Sequence, residues 1–425
     1  MKSLNRKYSE NIILGIGIVI LFFLLLLPES RDPWEADIQS QECVLLSPLP
    51  ALSCKLYIGL RVNYDVMQGA SLALKGKAEP SDIAQDIVGF RALVNQQDPY
   101  PILGPEYRKL GLEGELGIAS THPPTAFLFL APLAFLPWSW ASALWAWFML
   151  ALIVLTFRYY GLSWKLAIGL TPIALLWPPV ATSLGQLTVI WLFALVAGYY
   201  YEKRQNFWSG VMIGLAAITK FFPGILVLSF LLKRKWLALL GFLATFWASI
   251  IALLILHPGS ILRYIEVNQI NSKDVILHPN NLSLLINSYR FGGWVAVAMV
   301  LILFLSIIWT NRKFLYAPLL FSSSRLWILL SYFSVALLPI AWPYSLTPLL
   351  PVVIMLISQK KLSVLTIGFS CLIIPIIFPS FGTAIPFAAV ILLIGLGLLI
   401  DGLPFKIFTA VSLQDFIRPS QIENE

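Results

Sequence analysis

From about residue 124 to about residue 400, apolar runs follow one another with only short polar breaks between them. A soluble core cannot enclose so many helices that are apolar all round. A bilayer can, because a helix satisfies its own backbone hydrogen bonds there. Hydrophobic residues make up 58% of the chain and charged ones only 12%, which sets a soluble enzyme aside. The expected fold is an all-α polytopic membrane protein.

The N-terminus carries Lys2, Arg6 and Lys7 ahead of an apolar run from Ile12 to Leu27. A signal peptide starts the same way, but this run ends in Pro28-Glu29-Ser30-Arg31 with no small-x-small cleavage site. A signal anchor is the expectation. The formal net charge is +8, and its clusters sit beside spans: Lys203-Arg204, Lys233-Arg234-Lys235, Arg312-Lys313 and Lys360-Lys361. That pattern marks cytoplasmic loops and gives no signal for nucleic acid.

Placing those clusters inside sets the topology. Residues 1–28 form a cytoplasmic N-terminus and first span, residues 29–123 an extracytoplasmic loop, 124–400 a transmembrane bundle and 401–425 a cytoplasmic tail. Spans are expected near 138–157, 166–182, 185–201, 236–256, 293–310, 326–341, 344–358, 362–378 and 385–400, and the stretch Pro123–Pro137 is expected to be re-entrant or superficial. Residues 208–232 read as two short helices hinged at Phe222-Pro223, and residues 257–292 as a second outer loop. The count is about twelve helices, set by the length a helix needs to cross.

The first outer loop holds thirteen of the chain's 21 acidic residues. Within it, Ile83, Ile87, Phe90 and Val94 form a helical stripe. Ser81 is placed to cap that helix, and Asp82 lies in the first turn, where the helix dipole favours negative charge. Asp82 and Asp86 share one face, one turn apart. Asp98-Pro99-Tyr100-Pro101 ends the helix, which is expected to lie along the outer membrane surface.

Cys43 and Cys54 in this loop either pair in an oxidising compartment or stay as thiols; Cys371 reads as a core residue. No Cys/His spacing suggests a metal.

Four constellations carry chemistry, each with a plainer alternative. Asp82 is a candidate general base, or merely a cap that solvates its helix. Ser183-Leu184-Gly185-Gln186 offers amide groups at an outer turn, or is only a tight turn. Lys220, deep in an apolar hairpin, pairs with a lipid phosphate or snorkels to the interface. Arg290 clamps a phosphate and Asn280 or Asn281 bonds sugar hydroxyls, unless His278-Pro279-Asn280-Asn281 is a plain polar loop.

The order of these pieces resembles the family-87 glycosyltransferases of the GT-C superfamily, which take sugar, typically mannose, from polyprenyl phosphate outside the membrane. Asp82 stands eighteen residues before the Tyr of Pro99-Tyr100. His122-Pro123-Pro124 matches the family's aromatic-Pro-Pro, with His in place of Tyr. Gly185-Gln186, the run from Gly214 through Lys220 to Pro223, and Asn280-Asn281-Leu282-Ser283-Leu284 match further elements. Two departures stand out. Pro339-Ile340-Ala341-Trp342 continues as Pro343-Tyr344, so a family histidine is missing, and residues 32–78 are an insert that makes Asp65 a rival to Asp82.

The resemblance implies a GT-C bundle in the plasma (cytoplasmic) membrane with its site on the extracytoplasmic side. The implied reaction moves a hexose from polyprenyl phosphate to a lipid or glycan hydroxyl, inverting the anomeric centre, with no cofactor. Asp82, with Asp86 or Asp65 beside it, would be catalytic. His122, Gln186, Lys220, His278, Asn280, Asn281, Arg290 and Tyr344 would bind substrate. The rival reading is a secondary transporter or flippase, disfavoured because almost no acid lies inside the expected spans after residue 124.

Overall fold

The structure is a computed structural model that describes residues 2–27, 66–77, 82–112, 120, 122–204, 206–276, 281, 283–312, 323–338, 341, 343–350 and 384–402. All regular structure among the described residues is helical, with no strand. The elements that matter here are α1 (Lys2–Leu26), α2 (Asp82–Val94), α3 (Leu103–Lys109), α4 (Pro124–Phe127), α5 (Trp138–Tyr159), α6 (Trp164–Ala174) and α7 (Thr188–Arg204). They continue as α8 (Asn206–Thr219), α9 (Val227–Leu232), α10 (Trp236–Leu256), α11 (Ser260–Ile276), α12 (Leu284–Thr310), α13 (Ser323–Ala336) and α14 (Ala384–Gly402).

Four described helical segments are long and apolar enough to cross a membrane: Ser9–Leu26, Trp138–Tyr159, Trp236–Leu256 and Gly292–Thr310. On three of them the large apolar side chains point outward. Examples are Val19, Phe22 and Phe23 on α1, Leu237, Trp247 and Ile255 on α10, and Trp294, Ile302 and Leu305 on α12. Water would penalise that surface; acyl chains do not.

The span expected at 166–182 is broken. α6 turns by 92° into Pro179–Gly185, which makes a fifth crossing if the bent pair counts as one. Pro172 inside α6 and the Pro178-Pro179 pair at the next helical turn remove backbone donors that a straight helix needs. The stretch expected to be re-entrant contains the single turn α4, a 3-10 turn at Leu128–Leu130 and loose turns. The hairpin at 208–232 breaks after Thr219, passes through a 3-10 turn at Phe222–Leu226, and resumes as α9. The spans expected near 362–378, and the three cysteines, lie outside the described residues.

Close helix crossings hold the bundle. A Cβ on Gly17 would stand 2.2 Å from the Gly169 carbonyl oxygen, and one on Gly210 only 1.7 Å from that of Ala238. Gly210 and Gly214, four residues apart on α8, let α10 approach to backbone contact, the small-residue solution for helices that gain no hydrophobic drive from lipid. The glycine of the Gly-to-Lys220 hairpin pattern is therefore a packing residue. Where α7 meets α9, the Glu202 carboxylate is fully buried, with Lys233 Nζ at 2.7 Å and Lys235 Nζ at 3.3 Å.

Nine of the thirteen residues of α2 are buried in the protein, including Asp86, which a helix exposed on one face would leave open. Both α3 and α4 pack against α2.

Candidate active site

α2 reaches its neighbours through Gly89. A Cβ there would stand 2.5 Å from the Phe127 ring, so only glycine lets α2 settle on α4. That approach brings the two aspartates of α2 to the residue just ahead of α4, His122. α4 is held in turn by Thr125, whose hydroxyl donates to the Ile218 carbonyl at 2.7 Å. Ile218 lies in the last turn of α8, where carbonyls lose their helical donors. The bond thus meets an unsatisfied acceptor and sets α4, with His122 just ahead of it, beside the hairpin that carries Lys220.

His122 is buried between the carboxylates. Its Nδ1 is 2.9 Å from both oxygens of Asp86, and its Nε2 is 3.4 Å from Asp82 Oδ2. The side chain of Asp86 is 0% exposed and that of Asp82 20%, so only Asp82 presents itself to a substrate. Lys220, half-buried at the hairpin break, stands within electrostatic reach of both aspartates. Burial pushes the Asp86 carboxyl up, and His122 opposes the push. Burial alone would lower the His122 imidazole, but Asp86 and Asp82 outweigh it and raise it to about 9. Facing two carboxylates, the imidazole holds its proton.

An aromatic wall backs the cluster. The Tyr100 hydroxyl donates to the His122 carbonyl at 2.8 Å, and its ring packs against Phe127 and Tyr264 at 5.5 and 5.9 Å between centroids. Tyr264, on α11, also meets Phe221 beside Lys220 at 6.2 Å. Arg263 on the same helix pairs with Asp98, whose Oδ1 accepts from the Tyr100 N–H. Tyr107 of α3 is buried within electrostatic reach of both aspartates, and burial pushes its hydroxyl up. Sequence reading missed Tyr264, Arg263 and Thr125; Asp98 and Tyr100 were signalled, by Asp98-Pro99-Tyr100.

Of the sequence-predicted residues, the structure brings together Asp82, Asp86, His122 and Lys220. Gln186 is buried after the 3-10 turn Ser183–Gly185, and its Oε1 makes no hydrogen bond. Asn281 is buried, and its Oδ1 accepts the backbone N–H groups of Ser283 and Ala341 at 3.0 Å each. That oxygen anchors the loop where a sugar contact was expected. Arg290 is exposed on α12, and Tyr344 lies in the 3-10 helix Pro343–Leu349. Asp65, His278 and Asn280 lie outside the described residues. No group of three or more His, Cys, Asp or Glu able to hold a metal ion occurs among the described residues.

The model of glycosyltransferase family 87 matches residues 121–339, half of the chain. The chain belongs to glycosyltransferase family 87. It is thus a membrane glycosyltransferase, acting on a sugar donor and an acceptor. The family-87 match opens one residue before His122 and takes in Gln186 and Lys220, whereas α2 with its two aspartates precedes it. No curated protein and no solved structure matches the chain.

Gly89→Val tests how the family-87 site is assembled. The added carbons meet the Phe127 ring, so α2 must retreat at a cost of about 1–3 kcal/mol. The expected result is a folded protein that has lost most of its transfer activity. Unchanged activity would show that the approach of α2 to α4 does not set the site.

Proposed function

We propose that this membrane glycosyltransferase moves a hexose, in the first instance mannose, from polyprenyl phosphate to a lipid or glycan hydroxyl at the outer face, with inversion. One observation carries the reading: an accessible carboxylate and a lysine stand together at the mouth of an apolar hairpin. A lipid-linked donor can lie in the bilayer and present its phosphate to Lys220 from there, and no nucleotide fold is then needed.

The chemistry follows from the two charges. The acceptor oxygen attacks C1 of the sugar as Asp82 takes its proton. The C1–O bond to phosphate breaks on the opposite side, and its electrons pass to the phosphate oxygen. Lys220 stabilises the charge that develops there. The products are an inverted glycoside and polyprenyl phosphate. Asp86 does not exchange with the acceptor, because it is fully buried on His122.

The test offers purified protein in liposomes either polyprenyl-phosphate-mannose or a nucleotide-linked mannose, and reads product and anomeric configuration. Transfer from the lipid-linked donor alone, with inversion, is expected. Transfer from the nucleotide sugar, or retention of configuration, would sink the reading.

A further inference from the structure

We infer that His122 is a positioning residue for Asp82: an imidazolium anchored by Asp86, whose Nε2–H holds the Asp82 carboxylate in one orientation toward the acceptor hydroxyl. The inference rests on Asp82 being the base. It departs from the substrate-binding role that the family resemblance implies for this histidine.

The geometry leaves the ring nothing to offer a phosphate. Nδ1 sits 2.9 Å from both Asp86 oxygens, and Nε2 faces Asp82 Oδ2 at 3.4 Å, so both nitrogens are engaged by acids. The backbone is pinned too: the His122 carbonyl accepts from Tyr100, and its N–H donates to Ser120 Oγ at 3.2 Å. A ring with its backbone and both nitrogens held is pre-oriented, and it passes that orientation to Asp82, the one partly exposed member of the three. A carboxylate on a short, rotatable side chain otherwise samples orientations that do not face the acceptor, and a fixed oxygen removes that freedom.

The charges around the ring are accounted for. Asp82 and Asp86 face it from α2, and Lys220 stands near both from the hairpin break. Tyr100 touches its carbonyl, Tyr107 of α3 lies near both carboxylates, and Tyr264 of α11 lies against Tyr100. Burial pushes all three phenols up, Tyr264 to about 12, so they stay neutral. The two carboxylates hold the imidazole protonated until the pH rises through about 9. Above that, Nε2 loses its hydrogen and turns a lone pair toward the Asp82 carboxylate, and the bridge fails.

Two measurements on the full chain test this. The chain has three histidines, so His257→Gln/His278→Gln leaves His122 as the one imidazole that nitrogen-15 NMR can report. Its proton is expected to persist to about pH 9 and to be lost at least one unit lower when Asp86→Asn is added. Titration near the ordinary 6.5, about the value of a free histidine, would overturn the bridge.

In the second measurement, His122→Gln is expected to lower kcat by about 10–100-fold, the order associated with loss of orientation. Donor KM should hold, and the fall of kcat through pH 9 should disappear. A raised donor KM with kcat unchanged would make His122 a phosphate ligand and overturn the inference. The two failures are distinct: absent wild-type transfer with His122 still titrating near 9 sinks the donor reading, whereas normal transfer with an ordinary titration sinks the bridge.

Discussion

Asp82→Asn is expected to lower sugar transfer by about 10²–10⁴-fold, the range that general-base catalysis contributes, with the fold and donor binding intact. The amide is nearly isosteric with the carboxylate and still accepts from His122 Nε2 through its carbonyl oxygen. What it loses is the ability to take the acceptor's proton as the C1–O bond forms. Asp86 cannot substitute, because its side chain is 0% exposed and both oxygens are held by Nδ1 of His122. The measurement is kcat for transfer from polyprenyl-phosphate-mannose, beside donor affinity measured separately. Wild-type activity in the variant would move the base elsewhere, with Asp65 the next residue to replace. Loss of donor affinity in step with kcat would place Asp82 in donor binding.

Glu202→Gln is expected to be the most destabilising single change in the described bundle, by about 3–5 kcal/mol, as when one partner of a buried ion pair is removed. The Glu202 side chain is 0% exposed and that of Lys233 only 5%, with Nζ and Oε1 2.7 Å apart. Lys235 adds a second ammonium at 3.3 Å and donates to the Glu202 carbonyl at 2.7 Å. Removing the negative charge leaves two cations in one poorly solvated site, at the junction that holds α7 against α9. Thermal unfolding in detergent reads the effect. Glu202→Gln/Lys233→Met should recover much of the loss, because it removes the buried cation along with its partner. An unchanged melting temperature in the single variant would show that water reaches this site freely.

The exposed ion pair of Arg263 with Asp98 makes a useful contrast. Its side chains are 39% and 42% exposed, so solvent screens it and the pair contributes at most about 1 kcal/mol. The same chemistry differs in weight between the two places because burial differs.

Local features were legible in the chain itself. The apolar run at 236–256 became α10 over those residues, because sustained apolarity bounded by Lys233-Arg234-Lys235 and His257-Pro258 leaves little else to form. The break near Phe222-Pro223 followed from proline's missing donor, and the α2 helix followed from the stripe at Ile83, Ile87 and Phe90. The resemblance through Gly185-Gln186, Lys220 and the hairpin brought the family with it. These are all properties of neighbours along the chain.

The tertiary structure decided which of two adjacent aspartates can meet a substrate. Asp82 and Asp86 are one turn apart and share a helix face, so periodicity treats them alike. Their difference lies in exposure, 20% against 0%, and in His122, 36 residues beyond Asp86, whose Nδ1 meets both Asp86 oxygens. It likewise decided that His122 belongs to the carboxylates, and that Glu202 meets lysines 31 and 33 residues away. Sequence patterns report the local preference of a helix for water or lipid. The charge, exposure and partner of a side chain depend on elements distant in the chain, and those come together only when the bundle packs.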